Sequence, residues 1–459
     1  MSTDVGTFTH KENALCGAEA GAAGFQRILL VDLHCPAADW AAAGIEKLYR
    51  GQRGSLLVCR DKELADRRFP GRPALVRTQG FNLELATQAD RIVFAFRDVR
   101  DALASLDQYV KVAPTAALAN KLIASAKAWE HWATLSLRHE TVCAEPKATL
   151  AEIARHLGLE AKISDSLLKQ IDPLLKPSQG EVGCVHAGIG TYAKRLPDAV
   201  LHAIEVTHGE WLRRHGYTCA ADPAPAKPLT VVQGFEGDQK LLKLLSDVGF
   251  RPRVILDVGA SNGPWSFTCA QVFPYAIYYL GEPLPNYRSN LMVPNDGKQW
   301  HYMNLALGPD DRELQMTVPD EKFGTYGSTA LEFNREVKGD VVSVAQRSVN
   351  SLLAEGKMRV PDLMKIDVQG YELHVMEGAD QLWGKTEIFI LETSLYQFWE
   401  NGPSLLDVMN YFDRRGYTLF DFAGEFRSSR NGTLQQADLV FVNKKGALVR
   451  QLGSKTFDR

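Results

Sequence analysis

Three ionisable side chains in the C-terminal half have the types and the spacing for proton transfer. Lys365 and Asp367 end one apolar run, 362–367, and Glu392 ends the next, 387–392. The carboxyl ends of parallel strands meet at one edge of an open sheet, where ligands bind. A carboxylate there can remove a proton from an alcohol. We expect Asp367 as the first candidate base, Glu392 as the second and Lys365 as the orienting cation; alternatively, Asp367 holds a loop backbone.

A glycine-containing turn follows another apolar run, 253–258, and leads into a segment with helical potential, 265–273. Strand, glycine turn and helix N-terminus together form a place where backbone N–H groups can meet a nucleotide-like ligand. Glycine lacks a Cβ, so the chain can turn sharply and a ligand can approach the backbone. The alternative is an ordinary βα turn. The candidate binding residues of the turn are Asp257, Gly259, Asn262 and Gly263.

Two further segments stand where such a ligand would continue. Glu282 ends a predicted strand, 276–281, and is placed to accept hydrogen bonds from both ribose hydroxyls. The segment 304–308 offers a small apolar wall for an adenine ring, and its candidate cofactor-binding residues are Asn304 and Ala306. Alternatively, Glu282 caps a loop.

In this order the motifs resemble the FkbM family of S-adenosylmethionine-dependent O-methyltransferases, over residues 231–445. The segments that carry the resemblance are LDVGASNG (256–263), GEPLPN (281–286), NLALG (304–308), KIDVQGYEL (365–373), EGA (377–379) and LET (391–393). The resemblance implies a seven-stranded methyltransferase sheet and S-adenosyl-L-methionine as cofactor. It places Asp257, Gly259 and Gly263 around the methionine part and Glu282 on the ribose. One departure is Pro264-Trp265, where the family usually has a small or acidic pair; this narrows the entrance.

The N-terminal half carries two arginines and a hydroxyl after an apolar run, 91–96. Arg97 and Arg100 stand at the start of a predicted helix that also contains Ser105. Such a group suits a phosphate or sulfate. The alternative is internal pairing of the two arginines with Asp98 and Asp101.

Residues 27–217 resemble, thinly, the sulfotransferases with their P-loop parallel sheet. The resemblance rests on 91–105, where Arg97, Arg100 and Ser105 match the grip on a 3′-phosphate, and more weakly on GIGTYAKR (188–195). The turn after the first strand, 32–40, departs from the family: it has no glycine, no lysine or arginine and no hydroxyl, and its two aspartates would repel an anion. We expect a degenerate domain with a vestigial phosphate site, which recognises a glycan or docks to a partner.

Strand and helix patterns alternate along both halves, which predicts two α/β domains, the C-terminal one Rossmann-like. Further predicted strands are 27–33, 55–59, 299–305, 417–421 and 438–443, the last two as a terminal antiparallel hairpin, with another hairpin inserted at 312–318 and 340–346. The predicted organisation is a tail at 1–26, a first domain at 27–220, a proline-rich linker at 221–229 and a second domain at 230–459.

Bulk composition narrows the class of protein. The formal net charge of −3 over 459 residues argues against a nucleic-acid surface. The seven cysteines form no CxxC pair or zinc-like cluster, so we expect reduced thiols, a cytoplasmic location and no metal. No run is long enough to span a membrane. Homo-oligomerisation stays open.

The combined prediction is an O-methyltransferase that acts on a hydroxyl of a small-molecule or glycan acceptor. The sugar acceptor is inferred by analogy with the substrates of both families. The alternatives are a bifunctional sulfotransferase/methyltransferase and a non-catalytic binding protein of glycan assembly.

Overall fold

A computed structural model describes residues 27–64, 68–175, 189–221, 229–230, 232–319, 328–331, 339–428 and 430–456. The predicted tail at 1–26 and most of the predicted linker lie outside these residues. The chain divides into two compact units, Met1–Lys227 and Pro228–Arg459. Each unit contains its own parallel or mixed sheet.

The N-terminal unit is built on a five-stranded sheet in the order β2-β3-β1-β4-β5. Every pair of neighbouring strands is parallel, which confirms the predicted parallel sheet. Apolar side chains bury the central strands on both faces, as expected for a sheet covered by helices. The strands are β1 Arg27–Asp32, β2 Leu57–Arg60, β3 Ala74–Thr78, β4 Arg91–Phe96 and β5 Leu135–Arg138.

Eight α-helices connect and cover this sheet in the described part of the unit. The longest begins with Pro36, whose fixed φ suits the first turn of a helix, and buries its alanine-rich face with Trp40. The helices are α1 Pro36–Arg53, α2 Leu83–Gln88, α3 Val99–Ser105, α4 Ala116–Trp132, α5 His139–Ala144, α6 Pro146–His156, α7 Asp165–Ile171 and α8 Asp198–Arg214.

The C-terminal unit contains the predicted seven-stranded sheet, in the order β14-β15-β13-β12-β6-β7-β8. The five strands from β13 to β8 are parallel, and β15 runs antiparallel to both neighbours, which confirms the terminal hairpin. The strands of this unit are β6 Val254–Val258, β7 Ile277–Gly281, β8 Trp300–Met303, β9 Ala306–Leu307, β10 Arg312–Pro319, β11 Gly339–Arg347, β12 Leu363–Ile366, β13 Ile388–Ser394, β14 Tyr417–Arg427 and β15 Leu434–Asn443.

The inserted hairpin is also present. Strands β10 and β11 pair antiparallel, and the short β9 pairs parallel with β11 to complete a small sheet. Leu314, Met316, Val344 and Ala306 form a separate apolar cluster on it.

Helices cover the large sheet. Helix α10 begins directly after the glycine turn, with Pro264 as its first residue. A capping box between Ser404 and Asp407 fixes the start of α13. The helices are α9 Glu236–Asp247, α10 Pro264–Val272, α11 Val349–Ala354, α12 Glu372–Glu377, α13 Leu405–Asp413 and α14 Ala447–Thr456.

No helix in the described ranges combines the length and the apolar character needed to cross a bilayer.

Candidate active site

A cavity of about 520 Å³ lies at the carboxyl ends of β6, β7 and β12 in the C-terminal unit. Its size is within the range of small-molecule sites, roughly 300–1,000 Å³. Most residues predicted for the site line it together: Asp257, Gly259, Asn262, Glu282, Ala306, Lys365, Asp367 and Glu392. The other two predicted residues, Gly263 and Asn304, are not among the residues that line the cavity.

The glycine turn between β6 and α10 depends on close backbone packing. Gly259 has a φ of +78°, and a Cβ there would lie 1.9 Å from the carbonyl oxygen of Asp367. Gly263 has a φ of +88°, and a Cβ there would press on Val293 at 3.1 Å. Both positions therefore require glycine, because neighbouring segments of the same chain pack closely against them. The prediction from the sequence had rested on the approach of a ligand instead.

Glu282 joins the end of β7 to this turn. One carboxylate oxygen accepts a hydrogen bond from the backbone N–H of Ser261 at 3.0 Å, and the other accepts from the N–H of Leu284 at 2.8 Å. Burial raises the pKa of Glu282 to about 7, against the effect of these two amides. Its carboxylate therefore titrates near neutral pH while it faces the cavity.

Asp257 lies at the base of the cavity. Its carboxylate accepts a hydrogen bond from the hydroxyl of Ser266 at 2.7 Å. Burial raises the pKa of Asp257 to about 6, although the Ser266 hydroxyl and the charge of Lys365 act in the opposite direction. Asp257 is therefore held in one orientation by the first turns of α10.

The two predicted asparagines bond to backbone. The side-chain amide of Asn304 donates to the carbonyls of Glu282 at 3.0 Å and Pro283 at 2.9 Å. That of Asn262 donates to the carbonyl of Asn290 at 3.2 Å. Asn304 thus holds the loop after β7, and the apolar wall beside it comes from Ala306 and its neighbours.

Lys365 is almost fully buried and stands between two carboxylates. Its Nζ lies 2.6 Å from Asp438 Oδ1 and 3.4 Å from Asp367 Oδ2. Desolvation lowers the pKa of Lys365, but the surrounding carboxylates, Asp438 first, raise it well above its usual value. The lysine is therefore a fixed positive charge.

Gln369 connects the two candidate bases. Its Nε2 donates to Asp367 Oδ1 at 3.0 Å and to Glu392 Oε2 at 2.7 Å. Gln436 donates a second hydrogen bond to the same oxygen of Glu392 at 2.9 Å. Gln369 has a φ of +54°, a region that non-glycine residues rarely occupy, and its carbonyl accepts a hydrogen bond from the Thr329 hydroxyl at 2.7 Å.

The two carboxylates differ in environment. Burial raises the pKa of Glu392 well above its usual value, and the nearby charge of Asp367 adds to the effect. Glu392 therefore holds a proton more readily than an exposed glutamate does. The side chain of Asp367 is 34 % exposed and is ion-paired with Lys365.

Trp265, the unusual residue after the glycine turn, packs into the core of the unit and contributes to the cavity wall. Its indole N–H donates to Asp238 Oδ1 in α9 at 2.9 Å. Burial raises the pKa of Asp238 to about 7, and the neighbouring Asp438 adds to the rise. The ring is thus anchored in the wall of the cavity.

Several residues of this site were not predicted from the sequence. Ser266 and Asp238 contact predicted residues but carried no pattern of their own, and Ser261 lies inside the motif at 256–263 without having been chosen as a binding residue. Asp438 did carry a signal, because it is a charged residue inside the apolar run of β15. Leu314 and Met316 of the inserted hairpin also line the cavity, and their alternation along β10 was visible.

The charge of the lining suits a cationic ligand. Among the described lining residues, four carboxyl groups accompany a single lysine. Across the same described part of the chain, no group of three or more His, Cys, Asp or Glu could hold a metal ion. The carboxyl groups are Asp257, Glu282, Asp367 and Glu392.

In the N-terminal unit, Arg100 is buried in contacts with the protein itself. Its guanidinium bonds to Asp98 Oδ2 and to Glu205 Oε1, each at 2.6 Å, and to the carbonyl of Thr218 at 2.8 Å. It also lies 4.1 Å from the ring centre of Tyr192. The internal pairing that the sequence left open is the one observed for this arginine.

Arg97 and Ser105 are buried beside Asp101. Arg97 lies 3.5 Å from the Ser105 hydroxyl and 3.8 Å from Asp101 Oδ2. Asp101 accepts hydrogen bonds from the backbone N–H groups of Gly190 at 2.7 Å and Tyr192 at 3.0 Å. A carboxylate of the chain thus binds the backbone amides of the segment that resembles the glycine-rich sulfotransferase loop.

The turn after β1 is likewise internally paired. Arg77 lies 3.1 Å from Asp32 and 2.7 Å from Asp39, the two aspartates expected to repel an anion. Burial lowers the pKa of His34, which has a φ of +49°. The charges of this turn are therefore balanced within the protein.

Comparison with known proteins identifies the C-terminal unit. A family model described as "Methyltransferase FkbM domain" matches residues 257–419, which confirms the resemblance predicted from the motifs. Hexuronic acid methyltransferase AglP of Haloferax volcanii is 22% identical over 180 residues, 39% of this chain and 71% of that protein.

Among solved structures, the magnesium protoporphyrin IX methyltransferase ChlM of Synechocystis PCC 6803, with bound SAH, is similar at 12% identity. The aligned region covers 54% of this chain and 100% of ChlM, and the TM-score is 0.27. Mouse sulfotransferase SULT7A1, complexed with PAP, is similar at 15% identity over 41% of this chain and 89% of that one, with a TM-score of 0.30.

Proposed function

We propose that this chain methylates a hydroxyl of a sugar or glycan precursor. Its residues 257–419 match the FkbM methyltransferase domain, and it is an S-adenosylmethionine-dependent methyltransferase. The observation that carries the proposal is that Glu282, on the predicted cofactor side, and Asp367, the predicted base, line one cavity. The sugar is suggested by the hexuronic acid methyltransferase relative.

The cavity fits the cofactor in size and in charge. We assign Asp257, Gly259, Asn262 and Gly263 to the methionine end, and Glu282 to the ribose hydroxyls. Asn304 and Ala306 are assigned to the adenine side, the first through the loop it holds. When bound, S-adenosyl-L-methionine supplies an electrophilic methyl group on a positively charged sulfur. The carboxyl groups of the lining favour that charge.

Asp367 is the base in this proposal, and it takes the proton of the acceptor hydroxyl as the methyl–oxygen bond forms. Gln369 orients its carboxylate from one side, and Lys365 approaches it from the other. Glu392, the second candidate base, is tied to Asp367 through the Gln369 amide, and its raised pKa makes it the less ionised carboxyl group of the two. The chain mainly positions the acceptor in line with the methyl group and excludes water.

For the N-terminal unit we propose recognition of a glycan or docking to a glycan-assembly partner, without sulfuryl transfer. The contacts of Arg100 and Asp101 support the absence of sulfuryl transfer, since carboxylates of the chain occupy the arginine and the loop amide that the resemblance assigns to a phosphate. Saturable binding of adenosine 3′,5′-bisphosphate to the full chain, in the presence of saturating S-adenosylhomocysteine, would revive the bifunctional alternative.

The test is a screen of the full chain with S-adenosylmethionine against paired methyl glycosides, the neutral hexosides and the corresponding uronides. We expect S-adenosylhomocysteine release and a mass gain of about 14 Da, one CH2, on a neutral glycoside. The product should survive mild alkali, because an ether does and an ester does not. Transfer only to the carboxyl group of uronides would overturn the hydroxyl assignment.

A further inference from the structure

The buried ammonium of Lys365 is shared unequally between two carboxylates. Its Nζ is 2.6 Å from Asp438 Oδ1 but 3.4 Å from Asp367 Oδ2. Asp438 lies on β15, opposite Glu392 in the strand register, and its side chain is largely buried. The lysine is therefore held tightly from the side of β15 and only loosely from the side of Asp367.

This unequal sharing matters for a base. A cation that pairs closely with a carboxylate stabilises its ionised form and weakens it as a proton acceptor. A cation held slightly away still orients the carboxylate and costs less basicity. The position of Lys365 thus affects how strongly Asp367 can draw a proton from an alcohol.

Asp367 also faces carboxyl groups on every element around it. These neighbours add negative potential, which opposes ionisation of Asp367, while Lys365 favours it. The charge of Asp238 in α9 also acts on Lys365 and raises its pKa. The Asp238 carboxylate accepts a hydrogen bond from the indole N–H of Trp265. The facing carboxyl groups are Asp257 on β6, Glu282 on β7, Glu372 on α12 and Glu392 on β13.

We propose that Asp438 is a positioning residue for methyl transfer, which holds the Lys365 ammonium away from Asp367 and so keeps Asp367 basic enough to accept the acceptor's proton. The proposal rests on the proposed role of Asp367 as the base. Asp438 itself acts through Lys365 and need not touch the acceptor.

The test replaces Asp438 by Asn, which keeps the size of the side chain and removes its charge. Of the two carboxylates that form ion pairs with Lys365 among the described residues, Asp367 then remains alone, while Asp238 and Glu392 still act on the lysine as nearby charges. One like charge near Asp367 is also lost. Both changes favour the ionised form of Asp367 and so weaken it as a proton acceptor. The expected result is a low-pH limb of kcat/KM that moves to lower pH, with a plateau about tenfold lower because the base is weaker.

The control is Asp247→Asn, which removes the carboxylate of an exposed pair with Lys243 on α9. It should leave the profile unchanged. An unshifted limb in Asp438→Asn, or a limb displaced to higher pH, would contradict the proposal, since a merely structural change lowers the rate without this shift.

The double variant Lys365→Met/Asp438→Asn covers the case in which the single variant fails to fold. It removes both charges, so Asp367 loses the one cation that pairs with it among the described residues, and the limb should move to higher pH, opposite to the single variant. A limb at the wild-type position would overturn the proposal.

A measurement without acceptor separates this inference from the proposed function. In protein labelled with ¹³C at the aspartate side-chain carboxyl carbon, Asp367→Asn assigns the Asp367 signal, and its titration reports the pKa directly. A lower pKa in Asp438→Asn supports the positioning role even if the glycoside screen fails. An equal or higher pKa refutes it even if the screen succeeds.

Discussion

The backbone N–H of Ser261 donates a hydrogen bond to the carboxylate of Glu282 at 3.0 Å, which ties the end of strand β7 to the glycine turn after β6. Through this contact the two segments expected to bind opposite parts of the cofactor share one geometry. A substitution at Glu282 should therefore disturb both the methionine side and the ribose side of the site.

Replacement of Glu282 by Gln should weaken binding of S-adenosylmethionine by about 10- to 100-fold. The amide loses the charge that strengthens hydrogen bonds from the ribose hydroxyls, bonds worth about 1.5–3 kcal/mol each to a charged acceptor. Its NH2 group would also face the N–H of Ser261 or Leu284. Titration calorimetry measures the affinity, with the exposed Glu313→Gln on β10 as control. Equal affinities would remove Glu282 from the cofactor site.

Affinity for the cofactor should rise as the pH increases through about 7 and level off near pH 8. The pKa of Glu282 is raised to about 7, so the group is mostly protonated at pH 6 and ionised at pH 8. Only the ionised form accepts hydrogen bonds from both ribose hydroxyls while it keeps those from the backbone. The dissociation constant, measured from pH 5.5 to 8.5, should fall across this window in the wild type and much less in Glu282→Gln. Parallel curves for the two proteins would show that another group controls the dependence.

Replacement of Arg100 by Met should destabilise the N-terminal unit by about 3–5 kcal/mol. The change leaves the buried carboxylates of Asp98 and Glu205 without their cation, and an uncompensated buried charge costs about this much. Urea unfolding of the full chain checks it. The control is Arg214→Met, since Arg214 forms an exposed pair with Glu210 that contributes at most about 0.5 kcal/mol. Similar losses in both variants would contradict a structural role for Arg100.

Much of the C-terminal sheet was predictable because its strands are apolar runs separated by turn residues. The runs at 253–258 and 362–367 correspond to β6 and β12, and the inserted hairpin at 312–318 and 340–346 to β10 and β11. In the N-terminal unit the strands β3 and β5 were missed, and β3 shows why. Strand β3 is only five residues long and includes the charged residue Arg77. The ion pairs of Arg77 with Asp32 and Asp39 explain a charge in this strand, and they depend on the folded structure.

Partners distant in the chain were the hardest part of the site to predict. Lys365 and Asp438 are 73 positions apart, and the pairing of β13 with β15 is what brings them together. The same holds for Arg100 and Glu205, which are 105 positions apart. The local sequence pattern identified the residues near Asp367. It did not show that Asp438 pairs with Lys365, because this pairing depends on the order of the strands in the sheet.

The most direct test of the central claim is a comparison of wild type with Asp367→Asn on the neutral glycoside that the screen identifies. We expect the variant to bind S-adenosylmethionine with nearly wild-type affinity, while single-turnover methyl transfer falls by about 10²- to 10⁴-fold, the usual contribution of a general base. Full transfer by the variant at unchanged cofactor affinity would show that Asp367 is not the base and would contradict the account of the site.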